Sequence, residues 1–226
     1  MQTEILYQPS FAVCVVTMDV GEQIRVESGA MVGSMDVSVE TEATGGFMKS
    51  LKRSLLGGES FFQNTYTADA NGSRLILAPA LPGDVMVREL NQQDLIVQSG
   101  SYIAASLSID VTSDWGGAKS FFGGEGLFML RCSGTGTLIT SSYGAIHKTT
   151  LQAGQAFTVD TGHIVAFDSH MHYEIHKYGD WKSTILGGEG LVSVFTGPGD
   201  IYLQTRSPEA FLGWLIPNLP RSNESN

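Results

Sequence analysis

Leu55-Leu56-Gly57-Gly58-Glu59 returns 66 residues later as Phe121-Phe122-Gly123-Gly124-Glu125, and 64 residues after that as Ile185-Leu186-Gly187-Gly188-Glu189. Self-similarity at a near-constant period marks a repeated supersecondary unit and decides the architecture before any single element is read. The surroundings of the three copies match as well. A strand-like run leads into Ser28-Gly29, Ser99-Gly100 and Thr161-Gly162. An alternating segment follows each: Met35, Val37 and Val39; Leu107, Ile109 and Val111; Met171, Tyr173 and Ile175. Side chains on a strand point to opposite faces in turn, so an apolar period of two predicts a half-buried strand. Beyond each Glu, a hairpin is predicted around Asp69-Ala70-Asn71-Gly72, Ser133-Gly134-Thr135-Gly136 and Gly197-Pro198-Gly199-Asp200, since Asn-Gly and Gly-rich tetrads are turn formers.

The fold class is therefore all-β: three repeated β-sandwich, double-stranded β-helix-like units in a pseudo-threefold arrangement. The units span residues 4–72, 73–134 and 135–206 of a single domain. The runs Glu4–Gln8 and Ile201–Thr205 hold equivalent places, so the last strand is expected beside the first, closing a ring. Residues 207–220 form a short C-terminal helix. Ser207 is a capping residue, Pro208 suits the first turn and Glu209 favours the positive dipole end, while Pro217 and Pro220 stop the helix. Residues 221–226 are expected to be disordered.

Composition narrows the function classes. With 13 basic and 23 acidic residues the formal net charge is −10. Nucleic-acid binding needs clustered Lys and Arg to neutralise phosphates, so no nucleic-acid partner is expected. No apolar run of about 18 residues exists to cross a membrane, and the N-terminal residues lack the basic and apolar regions of a signal peptide. Cys14 and Cys132 both lie within apolar runs and read as buried free thiols. A cytoplasmic location follows as an expectation.

Three groups are candidates for chemistry or binding. Glu59, Glu125 and Glu189 stand at equivalent places; about a common axis they would form a carboxylate site, and otherwise each pairs with a lysine or caps a turn. His170, His172, Glu174 and His176 share one face of a predicted strand, where next-but-one residues are ~6.5–7 Å apart. Imidazole with carboxylate suits zinc, iron or copper, yet the matching positions in the other units carry Ser, Asp, Thr and Glu, as a solvated face would. Phe211, Trp214 and Leu215 belong to a nearly all-apolar tail that is expected to bury itself against its own fold or against a partner subunit. The segment Phe47–Leu56 is a basic amphipathic helix candidate, for the core or for an anionic membrane surface. No Gly-x-Ser-x-Gly or other nucleophile arrangement occurs.

The runs Val26-Glu27-Ser28-Gly29-Ala30-Met31, Leu55–Phe62 and Phe122–Phe128, with Thr205-Arg206-Ser207 ahead of the Leu-rich tail and Leu219-Pro220, resemble the widespread bacterial family related to the "altered inheritance of mitochondria" protein. The resemblance covers roughly residues 4–220. It implies triplicated β-sandwich units similar to the subunit of the tryptophan RNA-binding attenuation protein (TRAP-like), and its mitochondrial relatives are linked to inner-membrane organisation. It implies no catalytic residues. That attenuation protein grips RNA with Lys- and Arg-rich rims, which this acidic chain lacks, and fold alone does not carry function.

The resulting expectation is a non-enzymatic cytoplasmic binding or scaffold protein without a cofactor, working as a homo-oligomer or with a protein partner. The alternatives are a transition-metal-binding protein or metal-dependent enzyme using the histidine face, and a peripheral membrane-surface adaptor.

Overall fold

The computed structural model describes residues 1–40, 63–113, 128–177 and 191–220. The strands are β1 (Gln2–Leu6), β2 (Val13–Met18), β3 (Gln23–Glu27), β4 (Met31–Met35), β5 (Val37–Glu40), β6 (Gln63–Ala68), β7 (Ser73–Leu77), β8 (Val85–Asn91), β9 (Leu95–Gln98), β10 (Tyr102–Ser106), β11 (Ile109–Ser113), β12 (Met129–Ser141), β13 (Ile146–Leu151), β14 (Ala156–Asp160), β15 (Ile164–Asp168), β16 (His172–Lys177), β17 (Leu191–Thr196) and β18 (Gly199–Gln204). A helix, α1 (Pro208–Asn218), ends the described chain. Among the described residues the protein is all-β with one short α-helix, as the period-two patterns predict.

The repeat is visible in the pairing. In unit 1, β2 and β4 flank β7, while β3 and β5 flank β6. In unit 2, β8 and β10 flank the second half of β12, while β9 and β11 flank its first half. In unit 3, β13 and β15 flank β18, while β14 and β16 flank β17. Even the irregularity recurs: the register shifts between Met31 and Gly33, Tyr102 and Ala104, and Ile164 and Ala166.

Units 1 and 3 thus each contribute strands to two sheets, while unit 2 lies wholly in one sheet that bends along β12, and the predicted hairpins are corrected. β6 does not pair β7, and β17 does not pair β18; at each turn the chain leaves one sheet for the facing one. Turn chemistry marks where a chain reverses, but here the reversal is a sandwich corner. In unit 2 there is no turn at all. β12 runs through the predicted hairpin as one strand of 13 residues, and the boundary drawn at residue 134 falls inside it; the boundary drawn at 72 likewise separates β7 from β2 and β4, the unit 1 strands it pairs. Gly134 and Gly136, at φ 126° and 147°, provide the bend. A Cβ on Gly134 would stand 2.4 Å from the Ser108 carbonyl oxygen, so the crossing needs glycine there. The alternating segment of unit 1 is also broken, by Asp36 at φ 55°, between β4 and β5.

Neighbouring units share sheets. β10 pairs β3 with Ala104 opposite Val26, and β15 pairs β9 with Ala166 opposite Val97. Together these joints make one 11-stranded sheet. The expected ring is not closed by the terminal strands. β1 pairs β2 in a four-stranded sheet, and β18 lies in the 11-stranded sheet. Among the described residues no strand of unit 1 pairs a strand of unit 3.

Three apolar clusters fill the space between sheets. The first joins β2 and β7 to β3, β6 and β10, with Met18, Ile24 and Leu75 at its centre. The second holds Leu95, Tyr102, Leu130 and Leu138, and the third Phe167, Phe195 and Ile201. Cys14 and Cys132 are buried free thiols, as their apolar runs predict. Burial pushes them up to about 11 and about 12 respectively, so neither forms the reactive thiolate near neutral pH.

Candidate functional site

Glu59, Glu125 and Glu189 lie outside the described residues, as does the segment Phe47–Leu56. The strands on either side are described. β5 pairs β6, β11 pairs β12 and β16 pairs β17, so each Gly-Gly-Glu joins two antiparallel neighbours.

The histidine group is split. β16 begins at His172, and the His170 ring lies in the preceding turn, 3.1 Å from the Pro198 carbonyl oxygen. His172, Glu174 and His176 share one exposed face of β16. Glu174 Oε1 is 3.4 Å from His172 Nε2, and its Oε2 is 3.1 Å from His176 Nε2. Those hydrogen bonds hold the Glu174 carboxyl below its usual range. Here the carboxylate sits between two imidazoles as their hydrogen-bond partner. Among the described residues, no group of three His, Cys, Asp or Glu is arranged to hold a metal ion.

Two polar groups escaped the sequence reading because their members are far apart in the chain. The first surrounds Tyr202 at the joint of units 2 and 3. The Arg88 guanidinium carbon lies 5.4 Å from the ring centroid and Lys148 Nζ 5.8 Å, and Arg88 Nη1 donates to the Tyr202 hydroxyl. Lys148 Nζ reaches Asp200 Oδ2 at 2.7 Å, and Arg88 reaches Asp168 at 4.0 Å. Both cations are thereby neutralised, which makes the group a brace across the joint rather than a free anion site.

The second is the environment of Glu27 at the end of β3, opposite Gln63. Gln63 Nε2 donates to the fully buried Tyr102 hydroxyl at 2.6 Å. Burial raises Glu27 from 4.5 to about 7. Because the folded value lies above the unfolded one, its stabilising share is complete below about pH 4.5 and is lost as pH rises through about 7. Glu27→Gln is expected to match the wild type at pH 4 and to melt higher at pH 8, by on the order of 2 kcal/mol. Thermal melts across that range check it; equal offsets at both pH values would mean that Glu27 is not buried as described.

The tail helix is where sequence and structure agree most closely. Ser207 Oγ accepts from the Ala210 amide at 3.3 Å, and Pro208 occupies the first turn. Pro217 lies within the last turn instead of ending the helix, which continues to Asn218; the Asn218 side chain donates to the Trp214 carbonyl at 2.6 Å. Phe211 is half-buried, with its ring 5.9 Å from Tyr143 and 6.3 Å from Trp214. Leu215 is also half-buried. Trp214 and Ile216 are 64% and 63% exposed, and Leu212 and Leu219 are exposed beside them. So much apolar surface on one short element is unusual outside a contact site.

Comparison with known proteins follows from this geometry. A family model described as mitochondrial biogenesis AIM24 matches residues 3–206. An uncharacterized protein of Streptococcus pyogenes serotype M6 is 32% identical over 222 residues, spanning 94% of this chain and 89% of its own length. The crystal structure of a Streptococcus pyogenes protein superposes with a TM-score of 0.80 at 31% identity, over 96% of this chain and 99% of that one.

Proposed function

Because the chain belongs to the mitochondrial biogenesis AIM24 family, we propose that it is a non-enzymatic scaffold that docks a protein partner through α1 and associates with copies of itself. The exposed Leu212, Trp214 and Ile216 on α1, with Leu219 just beyond its end, carry this reading. Capping by Ser207 and the packing of Phe211 on Tyr143 fix the base of the helix, so the apolar surface is held outward in a set orientation. A rigid aromatic anchor of this kind is typical of interface hot spots. The described polar clusters support the non-enzymatic part: the cations near Tyr202 are paired and the histidines of β16 are spent on Glu174. Cys14 and Cys132 are free thiols, which suits the reducing cytoplasm, where we place the protein.

Photo-crosslinking in the cell tests the docking. A crosslinker at Trp214 is expected to give discrete adducts that disappear in the Ile216→Asp variant, while one at exposed Asp110 gives none. Equal adducts at both positions would remove α1 as the docking element. No described helix is long and apolar enough to cross a membrane. Anionic vesicles added to the purified protein separate a lipid surface from a protein partner: co-sedimentation that Ile216→Asp abolishes would replace the protein by the lipid.

A further inference from the structure

The two filled joints between units show what the third lacks. At the first, β10 carries Ala104-Ala105-Ser106 opposite Val26-Arg25-Ile24 of β3. At the second, β15 carries Ala166-Phe167-Asp168 opposite Val97-Ile96-Leu95 of β9. The equivalent strands of the remaining joint are β4, in unit 1, and β14, in unit 3. Among the described residues β4 pairs only β7, and β14 pairs only β17. Both are open sheet edges among the described residues.

Their side chains betray the missing partner. The residue at the register shift is Ile103 in β10 and Val165 in β15, 1% and 0% exposed; in β4 it is Val32, 62% exposed. Met31 and Met35 are exposed beside it. On the other side, the positions of buried Ile24 and Leu95 are taken in β14 by Phe157, which is only partly buried. A groove of about 330 Å³ runs beside it, lined by His147, Phe157, Val159, His163 and Leu203. It opens where β10 and β15 complete the sheets of the other two units.

Edge strands are normally guarded by charge, proline or a bulge. Met31-Val32-Gly33-Ser34-Met35 has neither charge nor proline. Its register shift is no guard, because β10 and β15 have the same one and still pair. Free of charge in β4 and of all but the terminal Asp160 in β14, and already matched twice within the chain, the two edges are complementary to each other.

We infer that β14 of one copy pairs with β4 of the next, repeating between chains the joint that the chain makes twice within itself. This rests on the self-association part of the scaffold reading and is independent of α1. The internal joints set the register: Gly33 opposite Val159, Ser34 opposite Thr158, and Met35 opposite Phe157, antiparallel. Val32 enters the groove beside Phe157. The contact is head-to-tail, using different surfaces on the two copies, so copies add in sequence.

Light scattering after gel filtration tests the contact. The wild type is expected above monomer mass, and Val32→Lys and Phe157→Lys are each expected at monomer mass when alone. Mixed, they are expected to form a one-to-one dimer, because each retains the edge that the other lacks. Oxidation of Ser34→Cys mixed with Thr158→Cys is expected to give a disulfide-linked heterodimer. A monomeric wild type at every concentration overturns the inference. So does a Ser34→Cys/Thr158→Cys double variant that cross-links only within one chain, which would mean that the edges meet intramolecularly. Thermal melts of Val32→Lys guard against a folding defect, since its side chain is solvent-exposed in the single chain. Loss of the α1 adducts with assembly intact would fail the docking reading alone; monomers that keep those adducts would fail only the self-association.

Discussion

Gly83→Ala is expected to lower the melting temperature by about 8 °C or more. Gly83 lies in the connection between units, where three chain segments meet through backbone. The Ala12 amide donates to the Gly83 carbonyl at 2.9 Å, the Asp84 amide donates to the Gly144 carbonyl at 2.9 Å, and the Gly144 amide donates to the Pro82 carbonyl at 3.0 Å. A Cβ on Gly83 would stand 1.6 Å from the Ser142 carbonyl oxygen and 2.7 Å from its carbon. The obstacle is main chain, so no rotamer change relieves it. Moving either segment breaks hydrogen bonds on both sides. Overpacking against side chains costs about 1–3 kcal/mol, and a backbone obstacle belongs at or above the upper end. For a chain of this length, 3 kcal/mol corresponds to about 6–12 °C. Gly213, with nothing within 4 Å of its Cβ position, is the control: Gly213→Ala replaces a helical glycine and is expected to be neutral or stabilising by up to about 1 kcal/mol. Calorimetry on both variants checks the pair. A Gly83→Ala shift under about 2 °C would show that the segments do not approach as closely as described.

Phe167→Ala is expected to cost about 3–5 kcal/mol, or roughly 6–20 °C in melting temperature. Phe167 is fully buried on β15, opposite Ile96 of unit 2 on one side and Ile201 of unit 3 on the other. Its ring meets those of Tyr173 and Phe195 edge-on, each at 4.9 Å, while Tyr173 and Phe195 stack at 5.9 Å. Truncation therefore removes edge contacts to two rings and leaves a cavity in the third cluster, where the sheet holding β14 has only three strands. Phe195→Ala empties part of the same space. The double variant should then cost less than the two single changes added, since neighbours sharing a cavity are not independent. Denaturant unfolding of the three variants measures this; strict additivity would mean that the rings do not form one unit.

Much of this fold was legible in the sequence. Ser28-Gly29, Ser99-Gly100 and Thr161-Gly162, with the alternating runs beyond them, gave the three units. Ser207-Pro208-Glu209 placed the helix start at the residue found. What was lost depends on partners distant in the chain. Asn71-Gly72 shows that the chain turns, but not that β6 and β7 belong to different sheets. Gly134 and Gly136 read as a hairpin tip because a strand bent through a sandwich corner uses the same residues. The β16 histidines alternate as a ligand set would, yet the carboxylate between them is already shared and His170 falls outside the strand. The alternation of Met35, Val37 and Val39 left Met31–Met35 unread as a strand; only the structure shows β4, paired among the described residues with β7 alone. The Arg88–Tyr202–Lys148 brace spans 114 residues and left no local pattern to find.

The passage of unit 1 into two sheets has a bearing on how the chain folds. Residues 1–78 carry a complete copy of the repeat, but the sheet made by β3, β5 and β6 continues into β10 of the next copy. A fragment ending at Pro79 would expose Ile24 and Val26 along a severed ladder, and is expected to show no cooperative melt by circular dichroism; an independent transition would show that one copy suffices. The repeat is thus the unit of duplication without being the unit of cooperativity. A copy on its own would meet the same demand only by borrowing a strand from another chain; with the copies linked in one chain, the pairing of β10 with β3 and of β15 with β9 is intramolecular and independent of concentration.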